Sequence, residues 1–185
     1  MENLSLDKGL FLVSEPFLPD PNFKRTVVIL TEHDEDGSIG FVLNRKTNLL
    51  LNDVLEDFPE FPVPLYLGGP VEQNTLHYIH NSKFNIPGSK DVVPGLRWGG
   101  DFEVVRALIE SQELQPDDIR FFIGYSGWSP EQLQAELDDK AWILAQANKQ
   151  LILMDEEEDL WRLVLKRMGN EYSLMANYPE DPRLN

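Results

Sequence analysis

The segment Phe121-Phe122-Ile123-Gly124-Tyr125-Ser126-Gly127-Trp128 constrains the fold of this chain more than any other. Its first three residues are bulky and apolar and read as a buried strand, Ile119 to Tyr125. Gly124 and Gly127 then bracket Tyr125-Ser126 in a turn. Ser129-Pro130-Glu131-Gln132 follows with the spacing of a capping box. In that arrangement the Ser129 hydroxyl accepts from the Gln132 N–H, and the Gln132 side chain returns to the Ser129 N–H. Pro130 falls at the first helical position, where its missing N–H costs nothing. The prediction is a sharp strand-to-helix corner at Gly124–Trp128 and a helix from Pro130 to Asp138. A nucleophile elbow needs glycine two residues to either side of its serine. Here Gly127 follows Ser126 at once, and the spacing argues against Ser126 as a nucleophile. Tyr125 and Trp128 packing around a glycine turn is the stronger reading. The corner could also present backbone N–H groups to an anion.

Strands dominate the first half. Gly9–Ser14, Thr26–Leu30 and Ser38–Leu43 are apolar runs, the last two joined by a tight turn at Asp36-Gly37. Their continuous apolar character predicts central strands buried on both faces. Asn52 reads as the N-cap of a short helix to Phe58. Leu65–Leu67 and Thr75–His80 read as strands, and 81–100 as a long irregular stretch with a short strand at Asp91–Val93. In the second half, Asp101 caps a helix to Ser111. Trp142–Leu144 and Leu151–Met154 read as short strands. Glu156–Met168 reads as a helix with acids first and Lys166 and Arg167 last, followed by Gly169. Strand runs first and strand–helix alternation later predict one α+β domain over 1–178, with a mixed, curled sheet and helices on its faces. The tail 179–185 reads as loose.

The 185 residues suffice for a core without staples, and no cysteine occurs, which removes disulfides, thiolate catalysis and Cys-ligated metals. Neither a secretory signal nor a run of about 20 apolar residues is present, so the expectation is a cytoplasmic protein without a membrane span. The formal charge of −16, from 32 acidic and 16 basic side chains, repels phosphate backbones and anionic lipid. Direct nucleic-acid binding is therefore disfavoured, and cationic partners are favoured.

Chemical candidates are few. His77 and His80 differ by an odd number on a strand, point to opposite faces and cannot chelate one metal locally. His33, just past a strand, suits a polar site or a hydrogen-bonded structural role. Gly68-Gly69-Pro70-Val71 lacks the residues of a P-loop or a dinucleotide fingerprint, so no cofactor is expected. Glu131 and Glu136, five apart, do not form a carboxylate pair.

Together, Gly9, Phe23, Arg25-Thr26-Val27, His33, Gly37, Gly40, Asn44-Arg45, Gly68-Gly69-Pro70-Val71, Ile79-His80, Gly124-Tyr125-Ser126-Gly127-Trp128, Gln132-Leu133, Glu136 and Trp142 resemble the YqgE/AlgH family of bacterial proteins. The resemblance covers nearly the whole chain and departs from the family pattern at Lys46, where proline is usual. It implies an α+β fold whose bent, mostly antiparallel sheet forms a partial barrel. It also implies a molecular activity largely undefined, with AlgH members associated with the regulation of alginate production and other gene expression. A non-enzymatic protein acting through another protein is the expectation. The alternative is an enzyme or small-anion binder. Its polar site would draw on Arg25, His33, Asn44 and His80 near the glycine turns, with Tyr125 and Ser126 beside them.

Overall fold

The computed structural model describes residues 4–155 and 159–184. Strand β1 (Leu10–Ser14) pairs with β2 (Val27–Asp34), which forms a hairpin with β3 (Gly37–Val42). The hairpin loop is Glu35-Asp36, closed by the Asp34–Gly37 pair, and a bulge interrupts the ladder between Leu30 and Glu32. As the apolar runs require, β2 is buried on both faces: Val27 and Ile29 enter one core, Val28 and Leu30 another. Chain order continues with β4 (Lys46–Leu50), helix α1 (Leu51–Val54), β5 (Pro64–Leu67) and β6 (Val71–Asn81). The stretch 81–100 is not structureless. It carries the hairpin β7 (Lys90–Val93) and β8 (Leu96–Trp98), whose second strand is too short to show alternation in the sequence.

Helix α2 (Phe102–Glu110) starts where expected, with the Asp101 side chain accepting from the Glu103 N–H. Strand β9 (Ile119–Trp128) corrects the reading of the glycine segment. Gly124–Trp128 is no corner but the second half of a ten-residue strand. The reason is pairing: Ser38, Ile39 and Gly40 of β3 hold Trp128, Gly127 and Ser126, and Val71 of β6 holds Tyr125. The turn comes later, at 129–131. Helix α3 (Gln132–Asp138) begins after Glu131, whose φ of 67° forms the entry. Of the capping box only one half forms, Gln132 Oε1 accepting the Ser129 N–H at 3.0 Å, and Pro130 lies outside the helix.

After β10 (Trp142–Gln146), the predicted strand at 151–154 is instead helix α4 (Lys149–Leu153), capped by the Asn148 side chain accepting from the Leu151 N–H. The cap overrides the local β-propensity of Leu-Ile-Leu. Helix α5 (Leu160–Met168) is capped by Asp159; the part of the predicted helix at 156–158 lies outside the described residues. Gly169 leads straight into α6 (Asn170–Met175). The predicted helix from Asn52 to Phe58 is only the single turn α1. Asn52 does not cap it but bridges the following loop, donating to Pro59 O and accepting from the Phe61 N–H.

The sheet runs β10-β1-β2-β3-β9-β6-β8-β7, with β4 and β5 branching onto β9. Every ladder is antiparallel among the described residues except β5 with β9, whose crossover passes through β6. The sheet curls without closing. At its β7 end, Val92 and Val93 pack in the same core as Phe11 and Val13, and Lys90 pairs with Glu32. The concave face holds the main core and is plugged by α4, α5 and α6, with Trp161 and Leu165 fully buried. The convex face is covered in two places, by α2 over β5, β6 and β9 and by α3 over β1, β2, β3 and β10.

Glycine is demanded most strictly where β5 runs out against β9. Gly124 has φ 67°, and a Cβ there would stand 2.7 Å from Gly69 O and 3.0 Å from Val71 O. Gly69 meets Tyr125 O at 2.2 Å in the same sense. The two glycine motifs seen separately in the sequence are one backbone crossing.

Candidate interaction groove

The candidate polar residues fall in different places. Arg25 and Asn44 meet: Asn44 Oδ1 accepts from the Val27 N–H at 3.0 Å, and its Nδ2 donates to Arg25 O at 2.8 Å. Arg25, with φ 50°, stacks its guanidinium 4.6 Å from the Trp161 ring centre and donates from Nη2 to Tyr178 O and Pro179 O. It thereby ties down the start of the tail, and Phe17 stacks on Tyr178 beside it. His33 stands at the other end of β2, some eight residues or about 26 Å away along the strand. There its Nδ1 hydrogen-bonds Ser38 Oγ at 2.7 Å.

His80 lies on the convex face with Tyr78, fully buried, its ring nitrogens facing Gly99 O (3.1 Å) and Asn81 O (3.3 Å). Burial pushes its pKa below the usual histidine value, outweighing those carbonyls. His77 points the opposite way, into the concave side against Phe41 and Tyr125, and burial lowers its pKa too, against the pull of Glu72. Tyr125 is half-buried on that side. Ser126, the next residue, is fully buried and donates to Gly68 O at 3.0 Å. Arg25 and Asn44 thus form one cluster, and His33, His80 and Ser126 each belong to another. Of the four residues of the polar-site reading, only Arg25 and Asn44 are hydrogen-bonded to one another among the described residues.

The basic groups also group more tightly than along the chain. Asn44 and its neighbours gather Lys24, Arg25 and Arg45, Arg45 donating to Lys24 O, while Arg120 donates to Leu43 O at 3.2 Å and sits 4.1 Å over Tyr66. Among the described residues no group of three or more His, Asp or Glu could hold a metal, and no helix is long and apolar enough to cross a membrane.

The large concavity lies elsewhere, beside β10. A groove of about 1020 Å³ runs between α5–α6 and the end of α3, with β10 along its floor. Val164, Met168, Tyr172 and Met175 form one wall; Leu137 and Lys140 belong to the other. Four charges sit among the lining residues: Lys140, Arg167, Glu15 and Glu171. The floor is held rigidly. Glu136 Oε2 accepts both indole N–H groups, Trp128 at 2.9 Å and Trp142 at 2.8 Å, fixing α3 to β9 and β10. Phe23 packs on both indoles. Sequence reading missed the groove because nothing local marks Trp142 as the start of an edge strand. The one available signal was Trp142-Ile143-Leu144-Ala145-Gln146 itself, an apolar strand with no charge or proline.

A model of the AlgH-like family matches residues 11–173. A UPF0301 protein of Cytophaga hutchinsonii is 44% identical over 181 residues, 97% of this chain and all of that protein. Another, of Chlorobium luteolum, is 42% identical over 180 residues, 97% and 95% of the two chains. Among solved structures, the solution structure of the AlgH protein from Pseudomonas aeruginosa superposes with a TM-score of 0.74 at 29% identity, covering 97% of this chain and 98% of that one. A crystal structure of a Corynebacterium diphtheriae protein gives a TM-score of 0.80 at 23% identity, over 96% and 95%, a likeness of fold. Across residues 11–173, from β1 into α6, the chain belongs to the AlgH-like family.

Proposed function

We propose that this protein is a non-enzymatic, partner-binding protein with a regulatory role, and that the groove beside β10 is its binding surface. The observation that carries the reading is that groove: about 1020 Å³, apolar along Val164, Met168, Tyr172 and Met175, and floored by a strand that, among the described residues, pairs on one side only. Apolar concavities with a few polar groups at the margin are where proteins take ligands and partners. The regulatory part of the reading rests on the resemblance to AlgH members, which are associated with the regulation of alginate production and other gene expression. The charge of −16 favours regulation through another protein over contact with nucleic acid. The test is capture from a cell extract by wild-type protein and by Met168→Glu, which puts a charge into the wall without touching the sheet. The expected result is a protein retained by the wild type and lost by the variant. Identical captured sets from the two would refute the reading.

One observation favours a small-anion site instead. Arg25 Nε and Nη1 are buried and have no hydrogen-bond partner among the described residues. Because the guanidinium lies on Trp161, inorganic phosphate bound there would change the Trp161 fluorescence. An unchanged spectrum up to millimolar phosphate, judged against Trp161→Phe, removes that alternative.

A further inference from the structure

The groove floor is a sheet edge whose hydrogen-bonding direction can be worked out residue by residue. Ser14 donates its N–H to Thr26 O, whereas Glu15 donates to Ala141 O at 3.0 Å. Even-numbered residues of β1 therefore face β2, and odd-numbered ones face β10. Across the antiparallel ladder, Phe11–Ala145 and Val13–Ile143 are then the bonded pairs. Trp142, Leu144 and Gln146 turn their N–H and C=O groups the other way, toward the groove. No hydrogen bond meets those groups among the described residues.

Sheet edges of soluble proteins are usually blunted by charge, proline, a bulge or a covering element. This one has none of the first three: its register with β1 is unbroken, and its residues are Trp-Ile-Leu-Ala-Gln. We infer that β10 accepts an extended, cationic segment of a partner protein as an additional strand; this rests on reading the groove as the partner surface. The outward groups recur every second residue, about 6.8 Å apart, which is the repeat of an extended peptide and of no compact small molecule. Successive side chains of an added strand would face alternately the Met168–Tyr172–Met175 wall and the Leu137–Lys140 wall. The occupant is therefore apolar on the face toward α5–α6.

A second copy of the chain fits less well, for two reasons. Its own β10 lies equally recessed between helical walls, so two such edges would collide at the walls before the strands met. Each copy also carries −16, whereas that field draws in a cationic segment.

The experiment pans a display library of random peptides of about ten residues against the folded protein, then measures the selected peptides on Met168→Glu and on three further variants. Leu144→Pro removes an N–H that points into the groove and breaks no bond to β1, as proline on the open side of an edge strand does. Gln146→Pro does the same at an exposed position and keeps the test available if Leu144→Pro fails to fold. Leu144→Ala controls for the lost side chain. Support is enrichment of peptides with alternating apolar residues and net positive charge, weakened about tenfold or more by either proline and about twofold or less by alanine. Peptides that bind both proline variants like the wild type, yet are lost on Met168→Glu, would overturn strand addition while leaving the groove as a partner surface. Absence of any enriched peptide overturns the inference. So does a dimer, seen by sedimentation, that Leu144→Pro dissociates, because it would give the edge to a second copy.

Discussion

Replacing Gly124 by alanine tests the glycine crossing of β5 and β9 against a control within the same chain. Gly124 and Gly169 share nearly the same φ, 67° and 74°, but differ in surroundings: a Cβ at Gly169 meets nothing within 4 Å. Gly169 combines φ 74° with ψ −171°, a region essentially confined to glycine, where an alanine costs about 1–3 kcal/mol; the stiffer unfolded chain returns about 0.4–1 kcal/mol. Gly169→Ala should therefore destabilise by about 1–2 kcal/mol. Gly124→Ala is strained by its positive φ as well and adds a Cβ 2.7 Å from Gly69 O and 3.0 Å from Val71 O. Both oxygens are backbone, held by ladders on either side, so overpacking adds about 1–3 kcal/mol. At about 2–4 °C per kcal/mol for a domain of this size, the expected Tm loss is about 2–8 °C for Gly169→Ala and about 2–12 °C more for Gly124→Ala. Thermal unfolding followed by circular dichroism reads both. Equal losses would mean that conformational strain alone explains Gly124, and the crossing argument would fail.

Acid should weaken the fold through its histidines. Burial lowers the pKa of both His77 and His80 below the reference of 6.5. The unfolded chain therefore takes up protons that the folded one resists; stability is complete above about pH 6.5 and falls as pH drops toward the folded values. Urea midpoints from pH 7.5 to 5 should show that decline, and the His77→Gln/His80→Gln double variant should flatten it. Asn44→Ala leaves the Val27 N–H and Arg25 O without their partner and should cost about 2–3 kcal/mol by urea unfolding. Ser126→Ala removes the bond to Gly68 O and should cost about 1–2 kcal/mol while leaving the captured partner set unchanged. A lost partner would instead implicate the serine directly.

Residues whose role depends on near neighbours were legible in the sequence. The Asp34–Gly37 hairpin, the Asp101 cap and the two-sided burial of β2 all follow from patterns a few residues long. The glycine segment shows where such reading stops. Nothing local in Gly124-Tyr125-Ser126-Gly127-Trp128 reveals that β3 and β6 hold it extended, so its glycine spacing signals a turn where pairing makes a strand. Leu151–Met154 failed in the opposite sense, through an Asn148 cap read past in favour of β-propensity. Arg25, His33, Asn44, His80 and Ser126 each have hydrogen-bond partners, but their distribution over opposite faces and ends of the sheet depends on curl and register. The groove was illegible for the same reason. An edge strand is defined by a neighbour it lacks, and no residue encodes that.

The pairing of β1 with β10 also governs how the molecule is made. Leu12 waits for Leu144, and Ser14 O waits for the Trp161 indole, across roughly 130–150 residues of chain. At about 5–20 residues per second of synthesis, that delay is roughly 7–30 seconds. Throughout it the β1–β3 meander is out of the ribosome with both apolar faces bare. Fragments ending before α5 should be insoluble, and in the cell a nascent-chain chaperone should hold this segment until the last third of the protein arrives.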